Sequence, residues 1–128
     1  MVEVVTELPP AVEARFRKPS RGGRPRPEAG YAHGSAGNVR AGTLVLLWLR
    51  LRERRIDDAR FEVFGGPSAI ACAEALCERL TGATVEQALA ITGLELAEGL
   101  QLPAAERGVA LVVEDALKAA LQAGDSNR

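Results

Sequence analysis

The clearest pattern along the chain is an alternation. Ala59, Phe61 and Val63 alternate with Asp58, Arg60 and Glu62, the two-residue period of a strand with one buried and one wet face. Thr43 to Arg52 repeats the period in a more apolar form: Val45, Leu47, Leu49 and Leu51 point one way, and Leu44, Leu46, Trp48 and Arg50 the other. Two such runs around a short polar stretch predict a β-hairpin over residues 43–65. Keeping like faces together sets Leu49 opposite Ala59, Leu47 opposite Phe61 and Val45 opposite Val63, and this parity requires an odd-length loop around Glu53 to Arg55. Leu44, Leu46, Trp48 and Phe64 then share the second face. They are a candidate protein-contact surface unless a helix or the N-terminal segment covers them.

At Gly65-Gly66-Pro67 the period changes. The glycines permit a sharp corner and Pro67 suits a first helical position, after which Ile70, Ala73, Leu76, Cys77 and Leu80 recur at helical spacing until Gly82. Thr84-Val85-Glu86-Gln87 has the form of a capping box opening a short helix to about Ile91, with Thr92-Gly93 as its end. Leu94 to Leu100 adds a turn or two. The last helix covers about 104–123, with Val109, Val112, Val113, Ala116, Ala119 and Ala120 on its apolar face. Before the hairpin, residues 8–18 read as a short helix with Leu8, Val12 and Phe16 in one stripe, strapped against the domain. Residues 19–42 read as a long loop with a short edge strand over Glu28 to His33 that carries Tyr31. The sum is one α+β domain over 1–128, a small, mostly antiparallel three-stranded sheet packed on one face by helices. Its parts are an N-terminal helix, loop and edge strand (1–42), a hairpin (43–65) and helices (66–123).

Composition narrows the function. A 128-residue chain that is 47% apolar suits one core, and a net charge of -1 gives no general pull towards nucleic acid or an anionic membrane. The charge is uneven: residues 1–40 hold seven basic and four acidic groups, residues 66–128 four and nine. The longest apolar run, Leu44 to Leu49, is far too short for a bilayer, no signal-peptide pattern opens the chain, and two cysteines make no disulfide framework. A cytoplasmic protein is expected. Ser20, Ser35, Ser68 and Ser126 share a single histidine and lie in no nucleophile motif, so no enzyme activity is expected. Free N–H groups at Gly65-Gly66 could face an anion, but no phosphate-loop lysine follows. Cys72 and Cys77 sit about 140° apart around one helix and cannot chelate one metal, so both read as small core residues. A site built from His33, a cysteine and an acid requires the glycine-rich loop to fold onto that helix.

Several stretches share a further resemblance. The Ile-x-Asp-Ala-Arg-Phe strand ending at Phe61, the corner Phe64-Gly65-Gly66-Pro67-Ser68-Ala69-Ile70-Ala71, the Glu114-Asp115-Ala116-Leu117-Lys118 helix and the Arg15 to Gly23 opening resemble, in order and spacing, the cluster-assembly scaffold family of IscU and the NifU N-terminal domain. The resemblance implies a non-enzymatic scaffold that builds an iron-sulfur cluster on three cysteines. The matching positions are Ala41 in Arg40-Ala41-Gly42-Thr43, with Thr43 in the place of an acidic residue; Gly66; and Val109, with Gly108 in the place of a histidine. None of these side chains can donate to iron or zinc. A chaperone-recruiting segment matches only at Leu102-Pro103, since Ala104, Ala105 and Glu106 follow and an acid replaces the lysine. The implied protein is a cluster-assembly member that acts by protein contact, with a cysteine desulfurase, a true scaffold or a client as partner, or with a second copy of itself, and with no cofactor expected. The alternatives are an iron or cluster carrier with atypical ligands and a structural subunit recruited from the same fold.

Overall fold

The structure is a computed structural model that describes residues 9–17 and 21–126. Leu8 and Lys18 of the expected N-terminal helix, and Lys18 to Ser20 of the opening motif, lie outside the described residues.

Three strands, β1 (Ala32–Asn38), β2 (Thr43–Arg52) and β3 (Arg55–Phe64), form an antiparallel sheet in the order β1-β2-β3. The hairpin register is the one that alternation sets, with Val45 opposite Val63, Leu47 opposite Phe61 and Leu49 opposite Ala59. The parity is achieved differently from the expected odd loop. Arg52 pairs with Arg55 across a two-residue turn in which Glu53 and Arg54 have φ of 53° and 60°, the left-handed geometry that matches strand twist in tight hairpins. The odd residue is Asp57, bulged between the pairs Arg50–Asp58 and Leu51–Ile56.

The edge strand also differs from expectation. Pro27–Ala29 is a single 3-10 turn ending at Gly30, φ 77°, and β1 begins only after Tyr31. Its sequence, AHGSAGN, has no β-branched or large apolar residue because a helix lies directly on it: a Cβ on Gly34 would sit 2.1 Å from the backbone nitrogen of Ala120.

The helices are α1 (Pro10–Arg17), α2 (Pro67–Leu80), α3 (Val85–Leu89), α4 (Gly93–Gly99) and α5 (Arg107–Ser126). Gly66 caps α2 with Pro67 behind it, and the helix stops at Thr81 and Gly82, φ 89°. The capping box forms: Thr84 Oγ1 accepts from the Gln87 N–H at 3.1 Å and Gln87 Oε1 from the Thr84 N–H at 2.9 Å. Helix α3 is shorter than expected, and Thr92, read as its end, instead caps α4 by accepting from the Glu95 N–H. A 3-10 turn over Ala104–Glu106 precedes α5, which continues past the expected residue 123. Helices α2 and α5 cover one face of the sheet, and Val45, Leu47, Leu49, Ile56, Leu76, Leu80, Val113 and Leu117 fill the space between. Helix α1 packs on α2 through fully buried Val12, so it does not reach the other sheet face. Among the described residues no helix is long and apolar enough to cross a membrane.

Candidate functional site

Three chain segments meet at one end of the sheet. The β1–β2 turn is fixed by the Asn38 side chain, whose Oδ1 accepts from the Ala41 N–H at 2.7 Å, and by Gly42 at φ 95°. The Gly42 carbonyl oxygen lies 3.6 Å from where a Cβ on Gly65 would stand, so this turn abuts the corner between β3 and α2. Val112 of α5 reaches the same end, its Cγ1 3.0 Å from the Cβ position of Gly37 beside Thr43. Val109 precedes Val112 by about one helical turn. Ala41, Thr43 and Gly66 thus lie at one end of the sheet, the end that α5 reaches through Val112. Ala41 and Gly66 are exposed, Thr43 and Val109 half-buried, and exposed Val39 (64%) and Phe64 (58%) flank them.

The corner has room but no donors at these positions. A Cβ on Gly66 would meet nothing within 4 Å, so a longer side chain there would project freely. Among the described residues no group of three or more histidine, cysteine or acidic side chains is placed to hold a metal ion. Cys72, in α2, is fully buried; burial pushes its thiol up to about 12, and the charge of Glu106 adds to the effect. Cys77 is buried and raised further, again chiefly by burial, with Glu74 contributing. Both environments favour the thiol over the thiolate that binds metal. The alternative site from His33, a cysteine and an acid does not form. His33 pairs with Trp48 across β1 and β2 on the face away from the helices, whereas both cysteines belong to the core beneath α2.

The second sheet face is neither bare nor covered by α1. Leu44 and Leu46 are half-buried, Phe64 is exposed, and Trp48 is only 9% exposed. Trp48 stacks on His33 with ring centroids 4.7 Å apart, and the Arg24 guanidinium lies 5.2 Å from its ring while bonding Glu62 at 3.0 Å. A polar network continues along this face. The Tyr31 hydroxyl donates to Asp58, and Asp58 also accepts from Arg60 Nε at 3.0 Å. Burial alone would raise Asp58, but the hydrogen bonds from Tyr31 and Arg60 outweigh it and hold the carboxyl below its usual range. Burial first, then the bond to Asp58, raises Tyr31. Sequence reasoning missed this network and also Glu74, a carboxylate buried in α2 that accepts from the Arg21 N–H at 2.8 Å and anchors the preceding loop. Only the doubling back of the N-terminal third reveals either one.

The profile of the NifU-like N terminal domain matches residues 10–126. The chain belongs to this family. It is 33% identical over 96 residues to the iron-sulfur cluster assembly scaffold protein IscU of Escherichia coli (strain K12), covering 74% of this chain and 75% of that protein. Identity to the iron-sulfur cluster assembly protein IscU of Plasmodium falciparum is 33% over 112 residues, 87% of this chain and 69% of that protein. The nitrogen fixation protein NifU of Cereibacter sphaeroides is 40% identical over 97 residues, 75% of this chain, but this chain spans only 39% of that protein's length. The fold matches the crystal structure of a NifU-like protein (N-terminal) from Brucella abortus with a TM-score of 0.69 at 15% identity, covering 93% of this chain and 94% of that one.

Proposed function

We propose that this NifU-like domain serves iron-sulfur cluster assembly through protein contact and does not itself hold a cluster. The observation that carries the proposal is that Ala41, Gly66 and Val109 stand at the positions where the family resemblance calls for cysteine. Cluster iron is held by thiolate or imidazole, and these three side chains offer neither. Both thiols, Cys72 and Cys77, are buried, and burial raises each and favours the protonated form. What the corner does offer is two exposed apolar side chains beside it, Val39 and Phe64, of the kind that marks a contact patch. A cysteine desulfurase, a true scaffold or a cluster client in the cytoplasm is the partner class this reading implies, and a second copy of the chain is a further one.

The test restores the missing chemistry. Ala41→Cys, Gly66→Cys and Val109→Cys together should give a protein that acquires an iron-sulfur chromophore on anaerobic incubation with iron and sulfide. A folded triple variant that stays colourless would show that the three positions do not form the family's site.

A further inference from the structure

Part of the sheet face opposite the helices, around Trp48, is covered by a segment of the chain itself. Arg24-Pro25-Arg26 crosses it ahead of the 3-10 turn that begins at Pro27, with Arg26 at φ -67° and ψ 141°, the polyproline II values. The backbone ladder that ties this part of the chain to β3 is carried upstream, where the Phe61 N–H donates to the Arg21 carbonyl at 3.2 Å and the Gly23 N–H to the Phe61 carbonyl at 2.8 Å. Pro25 and Pro27 have no N–H to extend it. One hold on the strap is the Arg24 side chain, stacked on Trp48 and bonded to Glu62, a pair that is 58% and 36% exposed and so largely screened. Between strap and sheet lies a cavity of about 270 Å³ bordered by Arg24, Arg26, His33, Leu46 and Trp48. Gly23 at φ 114° and Gly30 at φ 77° bracket the strap, and a Cβ on either would meet nothing within 4 Å. Backbone conformation, not crowding, therefore selects glycine at both ends, as a hinge requires.

We infer that the Trp48 face is an interaction surface for an extended segment carrying arginine between prolines. The chain's own Arg24–Pro27 strap occupies it and swings out on Gly23 and Gly30 to admit the same kind of segment from a partner. The chemistry is on view in the strap. Proline holds the extended form without internal hydrogen bonds, the aromatic rings of Trp48 and His33 offer flat faces to guanidinium and proline rings, and Glu62 supplies the carboxylate. A short tether keeps the strap at an effective concentration of about millimolar, so a free peptide competes poorly until the Arg24 anchor is weakened. The inference rests on the reading of this chain as acting through protein contact, but its test needs no iron and does not involve the corner.

A dye-labelled peptide with the sequence of residues 22–30 is titrated by anisotropy into the full chain, wild type and Arg24→Ala/Pro25→Gly/Pro27→Gly. Trp48, the sole tryptophan, is monitored in the same samples by acrylamide quenching. The variant should keep its far-ultraviolet dichroism, expose Trp48 to quencher and bind the peptide saturably, at least about tenfold more tightly than wild type. Adding His33→Ala and Glu62→Ala should abolish that binding. A folded variant whose Trp48 is no more quenched than in wild type, or which opens but binds no peptide, overturns the inference. If the triple variant does not fold, Arg24→Ala alone is measured in the same way, and loss of the fold in that variant also overturns it, because a displaceable strap cannot be a condition of folding. Failure here leaves the cysteine-restoration experiment unaffected, and failure there leaves this one.

Discussion

The corner depends on α5 lying close against β1, and Gly34 is where that closeness is set. A methyl group added at Gly34 would stand 2.1 Å from Ala120 N, 2.6 Å from Ala119 C and 2.7 Å from Ala120 Cα. All three are backbone atoms, so no rotamer change relieves the overlap. Ordinary carbon contacts lie near 3.5–4.0 Å, so the helix must withdraw by roughly an ångström or more along its middle. Withdrawal loosens Val113, Ala116, Leu117 and Ala120, each 1% exposed or less. Overpacking a core costs about 1–3 kcal/mol, and with rigid atoms on both sides Gly34→Ala belongs at the top of that range, about 3 kcal/mol. In a domain of this size that lowers the thermal midpoint by about 10 °C. Gly66→Ala is the control: its Cβ meets nothing within 4 Å and φ is -83°, leaving only the exchange of one capping residue for a poorer one, about 1 kcal/mol or less. Thermal and urea unfolding followed by circular dichroism give both values. A Gly34→Ala midpoint within about 2 °C of wild type would refute the close packing of α5 on β1, and with it the reach of Val112 to the corner.

The Tyr31–Asp58 network and the buried thiols give two further expectations. Asp58, held below its usual range in the fold, stabilises the protein above the ordinary carboxylate pKa, and that contribution is lost as pH falls through its folded value. Tyr31, raised in the fold, stabilises below its ordinary pKa and loses that contribution as pH rises through its folded value. In Asp58→Asn both limbs of a stability-against-pH curve should flatten, the acid limb because the Asp58 titration is gone and the alkaline limb because one cause of the raised Tyr31 pKa is removed; limbs identical to wild type would contradict the network. Cys72 and Cys77, buried with raised thiol pKa values, should resist a maleimide at neutral pH in the native protein and react fully in denaturant. Modification at free-thiol rates in the native state would place them outside the core.

Much of this architecture is legible in the chain because periodicity and faces agree. Val45, Leu47 and Leu49 have only one set of partners on β3 that keeps apolar side chains together, and the observed register is that one. Pro67 after two glycines and Thr84 three residues before Gln87 carry their local geometry with them. Strand β1 was displaced because its signal is erased by its neighbour: contact with α5 demands glycine and alanine where a strand normally shows branched side chains. The Asp57 bulge is invisible because it and an odd loop satisfy the same parity. Thr92-Gly93 serves a helix end or a helix start equally well, and only the Glu95 N–H bonded to Thr92 decides it. Of the site, the missing donors at Ala41, Gly66 and Val109 could be read only through the family resemblance, since nothing in spacing alone brings three such residues together. The covering of Trp48 by Arg24–Pro27 had no periodic signal at all, because an extended proline segment has neither the helical nor the strand repeat.

The central claim, that this scaffold-family domain holds no cluster, is tested most directly on the unmodified protein. It is incubated anaerobically with ferrous iron, sulfide and a thiol reductant, desalted, and assayed for protein-bound iron and acid-labile sulfide alongside its visible spectrum. A colourless protein with negligible iron and sulfide is expected. Stoichiometric iron and sulfide with visible absorption, abolished in Cys72→Ala or Cys77→Ala, would contradict it and assign the domain a cluster on atypical ligands.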